Sequence, residues 1–434
     1  MKVGFVSLGC NKNLVVTECM IGMFKSHNYE IVSNEEEADI IVINTCGFID
    51  EAKDEAISTI LEMADNKLNN CKYLIVVGCL VTRYKKELVK ELKEVDLFIS
   101  IREYPKMWNM IDNLINKTNN NNNDLLSYEN RFITTGNNMA YLKIAEGCSN
   151  CCTYCAIPMI QGKYVSRKYE DIIKEANKLA NDGYKEIVVI AQDTTKYGID
   201  LYNKPRLAEL LNDLCKIDKI KWIRFLYSYP ESIDDELIKV VKENDKICNY
   251  FDIPIQHISD NVLKNMNRKS DGNSIKKLIE KIRKEIPDVV IRTTLIAGFP
   301  GEKEEEFNEL CEFVKEYKID KLGCFAYSRE DGTKSSMMPN QIKEKVKNDR
   351  KNKIMKIQQE ISKNIMESKI SKTYEVLLED VTDDCEYFIG RSYMDVPDSD
   401  GVIYVKYNND YGLNEFVNVK ILEAKEYDLI AEII

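Results

Sequence analysis

Cys148, Cys152 and Cys155 lie in the run Gly147-Cys148-Ser149-Asn150-Cys151-Cys152-Thr153-Tyr154-Cys155, a C-x3-C-x2-C spacing. Thiolates select iron–sulfur clusters, zinc or Cu(I). Three of them on one short loop can hold three irons of a 4Fe-4S cluster and leave the fourth iron without a protein ligand. That open iron separates a reactive cluster from one that only carries electrons. Cys151 allows another reading, in which Cys148/Cys151 and Cys152/Cys155 are paired zinc ligands. Zinc sites usually bring such pairs from separate turns, roughly 12 or more residues apart. The run Cys148–Cys155 is too short to wrap a tetrahedron, so the cluster is favoured and Cys151 is a spare thiol.

A second triad is spread along the first ~115 residues. Val3–Ser7, Asp39–Asn44 and Tyr73–Gly78 are short apolar runs suited to strands, separated by helical patterns such as Val15–Lys25 and Glu51–Met63. This alternation implies a parallel sheet with covering helices. One cysteine follows each strand: Cys10, Cys46 and Cys79. Open α/β sheets bind ligands beyond the carboxyl ends of their strands. Three thiols delivered there could hold a second open-iron cluster. Each taken singly reads as an ordinary small buried residue; their equivalent positions favour the cluster.

The elements that must position the first triad begin near Met139. Tyr141–Ala145, Glu186–Ile190, Trp222–Leu226, Tyr250–Ile253, Val289–Leu295 and Lys321–Ala326 are candidate strands, with helical patterns such as Tyr169–Asp182 and Ser274–Glu285 between them. Six βα units predict a partial (β/α)6 barrel, whose functional groups belong at the strand C-terminal ends. The cysteine loop follows the first strand. Gln192 and Asp193 follow the second, Tyr227-Ser228-Tyr229 the third, Gln256 and His257 the fourth, and Gly298–Gly301 the fifth. Of the two histidines, His257 suits a structural or a site role equally, and His27 reads as a surface or helix-end residue.

Residues 341–370 predict one long helix with Ile354, Ile357, Ile361 and Ile365 on a stripe and a basic, solvated first few turns. From Thr373 the pattern changes to short alternating strands, predicting a small antiparallel β-barrel. The Asn tract at 116–124 reads as a linker. The expected division is therefore 1–116, a linker over 117–133, 134–370 and 371–434.

The bulk numbers agree with an internal redox enzyme. There is no run of 18 apolar residues, so no membrane span is expected. The start MKVGFVSLGC resembles a lipobox but lacks the apolar stretch of an export signal, so it reads as a first strand. Fourteen cysteines then suit metal or redox chemistry in the cytoplasm rather than disulfides. Residues 373–434 carry 15 Asp/Glu against 4 Lys/Arg, a difference equal to the whole chain's net charge of −11. Such a field repels nucleic acid and favours a basic protein partner.

With these residues in view, the chain resembles the methylthiotransferase family from end to end. The match rests on both cysteine triads and on three phrases: Ser7-Leu8-Gly9-Cys10-Asn11-Lys12-Asn13-Leu14-Val15, Asn44-Thr45-Cys46-Gly47-Phe48-Ile49-Asp50-Glu51-Ala52-Lys53 and Ala191-Gln192-Asp193-Thr194-Thr195. They resemble the branch that modifies an aspartate of small-subunit ribosomal protein uS12. The branch acting on tRNA adenosines of the i6A/t6A type, the alternative, usually has Gly-Cys-x-Met-Asn, Arg-Glu-Lys and Gly-Gln-Asn at these places. Cys151 departs from the ribosomal branch, where a basic residue is common, without touching the three ligands.

The resemblance implies an N-terminal α/β domain with an auxiliary cluster on Cys10, Cys46 and Cys79, a central radical S-adenosylmethionine (SAM) barrel with a cluster on Cys148, Cys152 and Cys155, and a C-terminal TRAM domain. It implies two 4Fe-4S clusters and SAM, with Tyr154, Gln192, Asp193, Gln256 and Gly298 as SAM contacts and no side chain acting as acid or base. The first cluster would reduce SAM, the resulting radical would take a hydrogen from the aspartate Cβ, and the second would supply sulfur. The implied partners are uS12 and a reductant such as flavodoxin or ferredoxin, with no tRNA and no membrane. A chain ending near Lys372 is expected to keep both clusters and SAM cleavage and to dock uS12 weakly.

Overall fold

In the computed structural model, residues 1–117, 125–136 and 138–434 are described. The core of the Asn tract, 118–124, lies outside them. The chain divides into two compact units that do not follow sequence order. The first comprises 1–136, 145–165 and 328–336; the second comprises 137–144, 166–327 and 337–434.

The first unit is built on a five-stranded parallel sheet in the order Glu30–Val32, Lys2–Ser7, Ile40–Thr45, Tyr73–Gly78, Leu97–Ser100. All six residues of Ile40–Thr45 are buried, as a central parallel strand covered on both faces requires. One face packs Ile41, Ile43, Leu74 and Val76 against the helices Asp50–Ala64 and Cys79–Glu91. The other packs Val42, Ile75 and Val77 with Phe24 and Trp108. The edge strands Glu30–Val32 and Leu97–Ser100 escaped the sequence reading because three or four residues are too few to show a period. His27 caps the helix Asn11–Ser26 and stacks on Trp108 with ring centroids 3.7 Å apart. Beyond the Asn tract, the backbone N–H of Thr134 donates to Glu18 Oε1 at 2.8 Å, and Arg131 is buried 3.6 Å from the same carboxylate.

In the second unit six parallel strands form the partial barrel: Met139–Lys143, Glu186–Ile190 and Trp222–Phe225 in one run, Tyr250–Asp252, Val290–Ala297 and Lys321–Ala326 in the other. A parallel bridge from Ile223 to Ile247 links the third strand to the segment leading into the fourth. The first strand ends at Lys143, two residues before the predicted limit.

The helix Glu344–Glu367 corrects one expectation. Its first turns are a solvated basic face only in part: Lys343, Lys345 and Lys353 are exposed, but two cations turn inward. Lys347 is 2% exposed, with Nζ donating to the Tyr327 carbonyl at 3.0 Å, and Arg350 is buried on Glu302. The buried stripe runs Lys347, Arg350, Ile354, Gln358, Ile361 and Met366, while Ile357 and Ile365 are only half-buried. Two cations whose heads find buried oxygen acceptors count as interior residues, and composition alone reads them as surface.

The tail is a closed five-stranded barrel, Thr373–Val381, Tyr387–Arg391, Ile403–Lys406, Leu429–Ile433 and Phe416–Ala424 in order round the sheet. It is antiparallel except at one seam, where Ile403–Lys406 and Leu429–Ile433 run parallel. A closed barrel leaves no strand edge open.

The tail packs on the amino ends of the barrel strands. Glu186 accepts from Arg224 Nε at 2.9 Å and from Arg391 at 2.7 Å. Arg224 also donates to the Tyr393 carbonyl at 2.7 Å, and Trp222 meets Phe416 edge to face. Lys321 holds Asp395 at 2.9 Å and the Tyr250 hydroxyl donates to Asp400 at 2.7 Å. Part of the tail's acidity is thus spent on the barrel, and the tail is not the free-standing docking module that its composition suggested.

Candidate cluster and cofactor sites

Cys10, Cys46 and Cys79 come to one edge of the first unit's sheet. Cys10 is the N-cap of the helix Asn11–Ser26, and Cys79 opens the helix Cys79–Glu91. A helix N-terminus favours a thiolate through its unsatisfied N–H groups. Cys10 is exposed, Cys46 intermediate and Cys79 buried. The loops that carry them touch. Gly9 has φ +88°, and a Cβ there would fall 2.6 Å from Cys46 Cβ, so only glycine allows this approach. A Cβ on Gly47 would fall 2.8 Å from Leu80 Cα. Burial pushes the Cys46 thiol up, and its neighbour Cys10 adds to this.

Cys148, Cys152 and Cys155 lie in the same unit. Cys148 N–H donates to the Gly162 carbonyl at 3.1 Å, and Tyr164 N–H to Ser149 Oγ at 3.1 Å, so the loop is pinned on the segment that follows it. Cys148 and Cys152 are buried, Cys155 is intermediate, and Cys151 is exposed with its thiol toward the Ser149 carbonyl at 3.8 Å. Tyr154 is half-buried beside them. Cys79 packs directly against Ala156 and Ile160. The residue after Cys155 therefore meets the third cysteine of the N-terminal triad.

Among the described residues, no three His, Cys, Asp or Glu side chains converge as ligands of a single metal ion. A cubane cluster asks for something else, one thiolate per iron with the irons set apart. All-sulfur donor sets on loops in contact fit that group.

Gln192, Asp193, Gln256 and Gly298 belong to the second unit. Gln192 is half-buried, while Asp193 is fully buried, takes the Thr195 hydroxyl at 2.5 Å and stands 3.9 Å from Lys196 Nζ. Gln256 has φ +71° and Tyr227 φ +62°. Non-glycine residues held at positive φ mark positions that the surrounding structure over-determines, and these cluster at functional sites. Nothing in the sequence signals either backbone. Gln256 is fixed by two backbone hydrogen bonds to the fifth barrel strand, Gln256 N to Thr294 O at 2.9 Å and Ile296 N to Gln256 O at 2.8 Å.

The Gly298 turn rests on Glu302, which the sequence reading passed over. Glu302 Oε2 accepts from the N–H groups of Gly298 at 2.7 Å and Phe299 at 3.1 Å, and Arg350 donates to Oε1 at 2.8 Å. Burial raises this carboxyl and Arg350 works against it. His257 completes the group. Its Nδ1 accepts from Ser259 N–H at 3.0 Å, so the neutral ring carries its proton on Nε2, 3.8 Å from Glu302.

Burial, then Arg350, pushes the His257 pKa down to about 3. The unfolded chain binds a proton near pH 6.5 and the folded chain does not. His257 thus contributes stability that is complete above pH 6.5 and is lost as pH falls toward 3, with a slope of up to ~1.4 kcal/mol per pH unit. His257→Asn should flatten the fall in unfolding free energy between pH 6.5 and 5. An unchanged slope would mean that the ring is protonated when folded.

Three regions match known families: the uncharacterized protein family UPF0004 at residues 2–100, the Radical SAM superfamily at 142–314 and the TRAM domain at 370–434. The chain is 63% identical over 435 residues to the ribosomal protein uS12 methylthiotransferase RimO of Alkaliphilus oremlandii, covering 100% of this chain and 99% of the relative. It is 50% identical to the protein of that name from Clostridioides difficile, again over 100% and 99%. Among solved structures, the radical SAM methyltransferase TsrM of Kitasatospora setae aligns with TM-score 0.57 and 12% identity over 77% of each chain. That likeness is one of fold.

Proposed function

The chain belongs to the ribosomal protein uS12 methylthiotransferase family, and from that premise we propose how its residues divide the work. It is a radical SAM enzyme that adds a methylthio group to the β-carbon of an aspartate of uS12. The observation that carries this reading is the contact of Cys79 with Ala156, the residue after Cys155, within one unit.

Cys148, Cys152 and Cys155 hold one 4Fe-4S cluster, and Cys10, Cys46 and Cys79 hold the other. When bound, these clusters and SAM supply the electron, the hydrogen-abstracting radical and the sulfur that no side-chain acid or base can provide. The chain's own residues bind and exclude. Gly9 lets the Cys10 loop reach Cys46. The Cys148 loop is fixed by its bonds to Gly162 and Tyr164, and Ala156 and Ile160 keep water from Cys79. Tyr154, Gln192, Asp193, Gln256 and Gly298 bind SAM, with Glu302 holding the Gly298 turn. Cys151 is a spare thiol.

The division into 1–116, 134–370 and 371–434 around a linker is part of the same reading. So is work in the cytoplasm with flavodoxin or ferredoxin as reductant; among the described residues no helix is long and apolar enough to cross a membrane. The exposed tail carboxylates, among them Asp383, Asp384, Glu386 and Glu426, suit a basic protein and repel tRNA. Mass spectrometry of uS12 and of bulk tRNA from a strain lacking the gene tests the assignment. The aspartate should lose its methylthio group while tRNA adenosines keep theirs; the reverse would move the enzyme to the tRNA branch.

A further inference from the structure

The first unit carries a groove of about 400 Å³ between the helices Asp50–Ala64 and Cys79–Glu91. Its floor is apolar, formed by Ile57, Leu80, Leu88 and Leu92, with Tyr84 alongside. Its rim is acidic: Asp50, Asp54, Glu87, Glu91 and Asp331 stand round it. The one cation in the lining, Lys53, is already committed, to Asp50 at 2.5 Å and to the buried Glu330 at 3.0 Å. Glu330 is held in turn by Arg83 at 2.7 Å. Asp54, Glu87 and Asp331 are exposed, and among the described residues no cation pairs with their carboxylates.

The 370 Å³ cavity of the second unit is different, since Arg292 and Lys321 share its lining with Asp320, Asp400 and Asp428 and offset most of their charge. Apolar surface rimmed by charge of a single sign is an arrangement for docking. A lysine or arginine side chain matches it in both parts. Its methylenes cover aliphatic floor while its charged head stays among carboxylates at the rim. A phosphate backbone would meet repulsion at every rim position.

We propose that this groove docks a Lys/Arg-rich segment of the protein substrate. The inference rests on the assignment of uS12, a protein that binds RNA and is accordingly basic. Leu80 in the floor directly follows Cys79, so a segment seated here is tethered one residue from the N-terminal triad. This docking is separate from any attraction by the tail.

The test compares the full-length, iron-loaded enzyme with the triple variant Asp54→Asn/Glu87→Gln/Glu91→Gln. All three positions are exposed and the substitutions keep shape, so the fold is spared. Binding of fluorescently labelled uS12 should weaken about tenfold or more in the variant. The intact enzyme's affinity should fall steeply with added salt and the variant's should fall less. SAM cleavage without uS12, and kcat at saturating uS12, should be unchanged, so the loss appears in KM alone. Equal uS12 affinity of the two proteins overturns the proposal, as does labelled tRNA that binds the intact enzyme and is lost from the variant. If the intact enzyme binds uS12 but never modifies it, the assigned reaction fails, while the binding comparison still decides the groove.

Discussion

A chain in which Cys10, Cys46 and Cys79 are all replaced by alanine should cleave SAM as the intact enzyme does and transfer no methylthio group. Its iron should fall from about eight to about four atoms per chain. The expectation follows from how the two loops are held. The Cys148 loop takes its fixing bonds from Gly162 and Tyr164. None of these is made by the N-terminal cysteines, so the loop keeps its shape without them. The complementary variant, with Cys148, Cys152 and Cys155 replaced, should also hold about four irons but should lose both activities. Cys79 packs on Ala156, so a serine triple variant, closer in volume, separates lost ligation from lost packing. Full iron retention in either alanine variant would show that the triad is not a ligand set. Loss of SAM cleavage in both the serine and alanine N-terminal variants would give that triad a role other than sulfur delivery.

Glu186→Gln should destabilise the second unit by about 3–5 kcal/mol. Glu186 and Arg224 have fully buried side chains, and Arg391 is 4% exposed. Burial alone would raise the Glu186 carboxyl, but Arg391 and Arg224 outweigh it and hold it below the usual range. Removing that charge leaves Arg391 with Glu379 as its carboxylate and Arg224 with the Tyr393 and Ser392 carbonyls as acceptors. The glutamine is nearly isosteric, so the loss measures charge rather than volume. Urea unfolding of the anaerobic, cluster-loaded protein should show a clearly lower midpoint, and an unchanged midpoint would show that the network adds nothing. Deleting the chain beyond Lys372 removes Arg391 altogether and uncovers Trp222. Aggregation is therefore the expected result of that truncation, in place of a soluble enzyme that merely docks poorly.

The placement of the six cysteines was legible in the sequence because three follow neighbouring parallel strands and three share one short loop. The βα alternation was legible because central parallel strands are buried on both faces and read as unbroken apolar runs. Other features depend on partners far away in the chain. Lys347 and Arg350 look like solvent-facing residues until Tyr327 and Glu302 supply acceptors. The positive φ of Gln256 is imposed by the neighbouring strand. Sequence order also concealed that 145–165 and 328–336 join the N-terminal sheet in one unit, since the contact of Cys79 with Ala156 leaves no periodic trace. The groove beside Leu80 was hidden for the same reason. Its carboxylates come from two helices and a distant loop, each unremarkable alone.

The bond between Glu186 and Arg391 spans 205 residues. A ribosome adding roughly 5–20 residues per second needs about 10–40 s to make that length. Until Arg391 is made, the nascent barrel holds a strand whose carboxylate lacks at least one of its two guanidinium partners, and Trp222 is uncovered. Full neutralisation of Glu186 thus waits until Arg391 has been made. A message cut short before Arg391 yields a chain with an exposed, half-neutralised interior, which is the form that proteases and chaperones recognise. Quality control over a radical-generating enzyme is thereby built into the order in which its parts are made.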